Sequence, residues 1–306
     1  MDADAILAAH AGLGGVLRDS RGRAECGAAQ RTVLEPNSNW TLDYGEEKCR
    51  LLRTFGTGAD QTLLYFEQFA PSDSAAMTVA GPAVRRFSYA GKIGVRFGPR
   101  DAEVHDVEVD RGKFGSFGAA LLVTSLSLDA MPEESADQEA QQESSFETEG
   151  LPHIAESDVA GVEWLSLSRR NSEVVLPLPG FKEAMALVND CTLDLVRHWD
   201  LDPEEHKTMT RMAQPVNLRE IAERLQRSYS SAAVRAGEQA DLSIRIIVNA
   251  DGSIATCSVT EATITKYITT SACEEFGSRA MFAPAENADG EPMKSYYDTR
   301  IIYRTD

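Results

Sequence analysis

Short apolar runs recur through the first part of the chain. Cys49–Gly56, Thr62–Phe69, Ala76–Ala80, Ile93–Phe97, Glu103–Val109, Ala119–Leu128 and Val162–Leu167 are brief and rich in β-branched or aromatic residues, and Gly or Pro-Ser-Asp segments separate them. That length and spacing predict an antiparallel meander. Burying the strands against one another predicts a β-sandwich or open barrel over residues 31–180. Ahead of it, residues 1–30 are read as an amino-terminal helix or extension. The period then changes. Phe181, Met185, Val188, Thr192, Leu195 and Trp199 recur every three or four residues, which predicts a helix over 181–198 with one apolar stripe for core packing. Asp200–Pro215 reads as a polar connector, so 181–216 is helix plus linker, and His206 among Asp202, Glu204 and Glu205 reads as a solvated turn. Asn217 is expected to cap a second helix, Leu218–Tyr229, whose Leu218, Ile221, Ala222 and Leu225 share a face.

The densest pattern lies in 241–303. Residues 241–249 alternate apolar and polar like a half-buried strand, Asp251-Gly252 marks a tight hairpin, and Ile254–Val259 returns. Ser271-Ala272-Cys273-Glu274 has the form of a capping box, predicting a helix to about Ala280. Asn287-Ala288-Asp289-Gly290 is loop chemistry, and Pro292–Tyr303 supplies a third strand.

Asp251-Gly252 after a strand, then Arg279-Ala280-Met281-Phe282-Ala283-Pro284-Ala285, Gly290-Glu291-Pro292 and a closing Tyr-rich strand follow one another in order at family-like spacing. Over residues 217–306 the chain in this way resembles the TonB carboxy-terminal domain. Tyr229-Ser230 stands where that family has Tyr-Pro, and Ala240 where it has a second Gly. The resemblance implies an αββαβ module after the β-rich domain, giving an α+β protein, and a habit of binding extended peptide at a sheet edge. It also implies a periplasmic location, with a signal peptide removed ahead of Met1.

Charge narrows the partners. Thirty basic and forty-eight acidic side chains leave a net charge of −18, which argues against nucleic acid or an anionic membrane. The excess concentrates in the middle of the chain, where 131–150 carries Glu133, Glu134, Asp137, Glu139, Glu143, Glu147 and Glu149 with no basic residue. Such a run buries too little apolar surface to offset ordering entropy and is read as a mobile acidic loop. No apolar run reaches eighteen residues, so no membrane span is expected.

None of the five cysteines forms a Cys-x-x-Cys pair, which speaks against zinc and thioredoxin-type chemistry. Two disulfides with one thiol left over would suit an oxidising compartment, and buried free thiols are the cytosolic alternative. Cys257 falls in the second strand of the module and Cys273 in the first turn of the helix that packs back on it, so these two are expected to pair. Cys49 with Cys191 follows by elimination and from the position of Cys191 near the apolar stripe. Cys26 is then the unpaired one, and a Cys26–Cys49 bridge is the competing assignment.

The histidines, His10, His105, His153, His198 and His206, show no metal spacing, and no Walker loop, G-x-S-x-G or H-E-x-x-H string occurs. Neither catalytic residues, metal ligands nor cofactors are expected. The chain reads as a non-catalytic adaptor that binds an extended segment of another protein, such as an envelope or outer-membrane protein, along its last strand. Ser295, Tyr297, Thr299, Arg300, Ile301 and Tyr303 are the candidate edge residues. A second copy of the chain is the competing occupant, and an enzyme with dispersed carboxylates in the β-rich domain is the alternative function.

Overall fold

The computed structural model describes residues 30–87, 91–129, 146–228, 231–238, 240–262 and 272–303. The amino-terminal extension with Cys26, most of the acidic loop, and Ser271 of the capping box lie outside the described residues.

Residues 30–177 form two sheets. One has the order β2(Thr41–Tyr44)-β3(Cys49–Phe55)-β4(Thr62–Gln68)-β5(Ser74–Ala80)-β9(Gly118–Ser127)-β8(Asp110–Phe114). The other has the order β1(Gln30–Val33)-β11(Ser172–Pro177)-β10(Val162–Arg169)-β6(Lys92–Pro99)-β7(His105–Glu108). Both feed one core, with Leu51, Phe66, Met77 and Leu121 from the first and Val95, Phe97, Leu165 and Leu176 from the second. This is the sandwich solution rather than the barrel. It also corrects the simple meander, because the chain changes sheets after β1, β5, β7 and β9, and β1 lies parallel to β11. The predicted strand 103–109 ends at Glu108, and Asp110 begins the next strand in the opposite sheet. In β4 every residue is buried. Leu64 and Phe66 face the shared core, while Leu63 and Tyr65 join a small outer cluster with Ala80 and Ala120.

The helix α2(Phe181–His198), which follows the one-turn α1(Glu156–Val159), completes that core. Its Phe181, Met185, Val188, Cys191 and Leu195 are all buried there. The Phe181 ring stacks 6.2 Å from Phe97 and lies 5.3 Å from Phe66. A disulfide joins Cys191 to Cys49 with Cα atoms 6.0 Å apart. This geometry is relaxed for a bridge between a helix and a strand.

The connector is less polar in space than in sequence. Asp202 caps α3(Pro203–His206), accepting from the Glu204 amide at 2.9 Å. The turn directs His206 inward, where it is 0 % exposed, which corrects the solvated-turn expectation. Helices α4(Leu218–Ser228) and α5(Ser231–Ala236) follow. Asn217 stands at the start of α4, its carbonyl accepting from the Ile221 amide at 3.2 Å and its Nδ2 reaching Glu220 at 3.4 Å, and its side chain also spans the module. Its Oδ1 accepts from the Met281 amide at 3.0 Å and its Nδ2 donates to the Arg279 carbonyl at 3.0 Å.

The carboxy-terminal sheet has the order β14(Ile254–Ala262)-β13(Ala240–Val248)-β18(Ser295–Tyr303), so the first strand of the module is central and the other two are edges. Gly252 holds the hairpin with φ +81°, and a Cβ there would lie 2.4 Å from the Phe282 carbonyl oxygen. Only glycine meets both demands. Helix α6(Ala272–Arg279) packs on the sheet, tied by the Cys257–Cys273 disulfide at a Cα separation of 5.6 Å. Leu242, Ile244, Ile246, Val248 and Phe276 make this second core. Two-residue ribbons, β12(Gln214–Pro215) with β15(Phe282–Ala283) and β16(Ala285–Glu286) with β17(Pro292–Met293), close its rim. Among the described residues no helix is long and apolar enough to cross a membrane.

Candidate functional site

Strand β18 pairs with β13 in unbroken register from Ala240↔Tyr303 to Val248↔Ser295. Among the described residues no strand lies on its other side. The opposite edge differs, because the β13–β14 register shifts between Ser243/Ile244 and again between Ile247/Val248. Bulges twist an edge away from incoming strands, whereas a regular edge presents a continuous row of amides and carbonyls.

The two faces of β18 have different neighbours. Ser295, Tyr297, Thr299 and Ile301 share register with Val248, Ile246, Ile244 and Leu242, the module's own core face. Tyr297 meets Phe282 edge-on at 5.5 Å. Tyr296, Asp298, Arg300 and Ile302 project to the opposite side. The sequence pattern predicts one core face, and the structure places protein against both, because Ile247 and Tyr296 enter the β-rich core. Arg300 forms a bidentate pair with Asp241 and donates to the Thr124 carbonyl of β9 at 3.4 Å. Tyr303 ends the strand opposite Ala240. The candidate edge residues therefore lie on one strand. The structure turns the side chains of Ser295, Tyr297 and Ile301 inward, and among the described residues no strand pairs with the outer backbone edge.

A seam of polar and aromatic side chains joins the two parts of the molecule. Trp199 follows the last turn of α2, and Tyr296 meets its ring edge-on at 5.0 Å. The Arg245 guanidinium lies 4.4 Å from the same ring centre and pairs with Glu47 at 2.6 Å. The His206 ring stacks on Tyr296 at 6.2 Å. Its Nδ1 lies 2.7 Å from the Asp202 carbonyl and its Nε2 3.0 Å from Ser295 Oγ. A neutral ring protonated at Nδ1 satisfies both contacts, donating to the carbonyl and accepting from the hydroxyl.

Burial lowers the His206 pKa, outweighing the Asp202 carbonyl and the carboxylates of Glu205 and Asp202, which raise it. The unfolded chain then binds a proton before the folded one does. Stability is therefore full above the ordinary histidine value of about 6.5 and falls as pH drops through it. Urea titrations at pH 7.5 and pH 5.5 should show this loss in the wild type and a smaller one in His206→Gln. Equal losses in the two proteins would remove His206 as its source.

Between the outward face of β18 and the β4–β5 turn lies a cleft of about 200 Å³. Glu67, Gln68, Phe69, Ser125, Asp298 and Arg300 are among its walls. The Gln68 amide donates to the Ser72 and Ser74 carbonyls, both at 2.8 Å, and its Oε1 is buried without a hydrogen-bond partner. The Asp298 side chain is exposed at the mouth while protein crowds its other sides. That crowding pushes its pKa up to about 6, and water on the open side works against the shift. Sequence reasoning singled out neither Gln68 nor Asp298. The parity of β18, which puts Asp298 and Arg300 on one face, was the available signal.

A second pocket, of about 250 Å³, lies between α2 and residues 149–153, with His153 and Asp190 among its walls. His153 is exposed, and its Nδ1 contacts the Leu151 carbonyl at 3.1 Å. Among the described residues no three His, Cys, Asp or Glu side chains group as metal ligands would.

Residues 226–305 match the family described as Gram-negative bacterial TonB protein C-terminal. No curated protein and no solved structure matches the chain.

Proposed function

We propose that this protein is a non-catalytic periplasmic adaptor that captures an extended segment of an envelope or outer-membrane protein by adding it as a fourth strand beside β18. The observation that carries this reading is the regular edge of β18, which no described strand covers, within the segment that matches the TonB carboxy-terminal family. Strand addition draws affinity from main-chain hydrogen bonds and specificity from alternate side chains. The open backbone between Ser295 and Tyr303, with Tyr297, Thr299, Arg300 and Ile301 along it, offers the first. The two disulfides favour the oxidising compartment that the family match suggests. The β-rich part supplies the rigid wall against which the edge is displayed.

Proline scanning tests the edge. Successive amides of a strand point to opposite sides, so Thr299→Pro and Ile302→Pro remove donors of opposite parity, one from the free edge and one from the ladder with β13. The edge variant should keep the wild-type unfolding midpoint yet bind selected linear peptides at least about tenfold more weakly, as loss of main-chain bonds requires. The ladder variant should lose stability. Wild-type peptide binding in both variants would refute strand addition at β18.

A further inference from the structure

We propose that the cleft beside β18 recognises a lysine or arginine side chain, so that the extended segment captured at this edge is basic at the position opposite Asp298. This deepens the edge-binding reading and rests on it. A strand added beside β18 would turn every second side chain toward the β-rich domain, in line with Tyr296, Asp298 and Arg300. A residue directly opposite Asp298 would have its Cβ within about 4.5–5.5 Å of the Asp298 Cβ. Its side chain would enter the cleft and meet acceptors on each side.

On the strand side is the Asp298 carboxylate, and among the described residues no cation forms an ion pair with it. Arg245 stands opposite Asp298 in the register and attracts it at longer range, but its ion pair is with Glu47 and its plane lies over the Trp199 ring, and Arg300 is ion-paired to Asp241. On the opposite wall is Gln68, 3 % exposed, whose fixed amide leaves Oε1 as an unpartnered acceptor. Phe69 adds an aromatic face of the kind that Lys48 already uses at 5.1 Å. Glu67 on the same wall is neutralised by Lys48 at 3.1 Å and Arg50 at 2.7 Å, so the negative charge offered to a ligand is that of Asp298. An acidic side chain here would confront Asp298. The net charge of −18 points the same way, since it draws cationic segments and repels anionic ones.

The raised pKa of Asp298 adds a condition. Burial favours the protonated form and Arg245 of β13 the ionised one, with Glu67 of β4 and Arg300 of β18 the other charged groups in the cleft wall. The cationic preference should therefore strengthen as pH rises from 5 to 7, as Asp298 becomes charged.

Selection from a displayed pool of random linear peptides on the full disulfide-bonded chain tests this, with hydrogen exchange of the β18 amides as the second readout. The expected result is that selected peptides protect β18 and carry Lys or Arg at one fixed position. Replacing that residue by Gln should weaken binding about tenfold in the wild type and hardly at all in Asp298→Asn. Binders that protect β18 with no basic preference would overturn the cleft inference and leave the edge reading intact. A pool that yields no β18-protecting binder, or β18 amides already protected by self-association of the chain, would overturn both.

Discussion

Replacing Cys49 and Cys191 together by Ala should lower stability by about 4–5 kcal/mol, the largest single effect expected in the molecule. The bridge spans a sequence separation of 142, and in the chain-entropy model the stabilisation grows with the logarithm of the closed loop. The same model gives the Cys257–Cys273 bridge, at a separation of 16, only about 3 kcal/mol. Both Cys49 and Cys191 are at most 1 % exposed, so the cavity left by their sulfurs adds to the entropic cost. Urea unfolding of the two double-alanine variants should rank them in that order. A Cys49/Cys191 variant that unfolds at the wild-type midpoint would show that the bridge does not constrain the unfolded chain. The consequence reaches the edge strand, because α2 carries Trp199 at its end and Trp199 is the platform for Arg245 and Tyr296. Loosening the helix should loosen the wall of the cleft as well.

The carboxy-terminal module was legible because its signals are local. The Asp251-Gly252 turn, the alternation through Ile244 and Ile246, and the Phe282-Ala283-Pro284 stop act within a few residues, and the strands fall within a few residues of where the pattern puts them. The apolar stripe of α2 was legible for the same reason. Three features were not. The crossing of the chain between two sheets depends on which strands meet in space, and apolar runs of equal length carry no record of that. His206 sits among acids that suggest solvent, yet its partner Ser295 lies 89 residues away. Asn217 keeps its local contacts with Glu220 and Ile221, and its further clamp on Arg279 and Met281 depends on the ribbon of β12 and β15 that brings them alongside. In each case the deciding contact is tertiary. The cleft was hidden for a related reason, since Gln68 and Asp298 come from opposite ends of the chain and only the packing of the module on the sandwich brings them to one cavity.

That packing rests on Tyr296, and its removal should separate the two halves. The side chain is 1 % exposed and contacts Trp199 and His206 from within the shared core. Truncating a buried aromatic costs about 3–5 kcal/mol, so Tyr296→Ala should shift urea unfolding by that amount. Tyr296→Phe should behave in the opposite way. The Tyr296 hydroxyl has no hydrogen-bond partner among the described residues, and burial raises its pKa well above the usual tyrosine value, so it is a neutral, unsatisfied group. Deleting it keeps the ring contacts and removes a buried polar atom, which should be neutral or mildly stabilising. The pair therefore separates packing from hydrogen bonding at the seam. The binding readout separates further. If the sandwich acts as the wall of the cleft, Tyr296→Ala should keep peptide pairing along β18 while losing the preference for a basic residue, and Tyr296→Phe should keep both. A Tyr296→Ala protein that unfolds within about 1 kcal/mol of the wild type would place the docking energy elsewhere, with Arg245 and its Glu47 partner the next groups to remove.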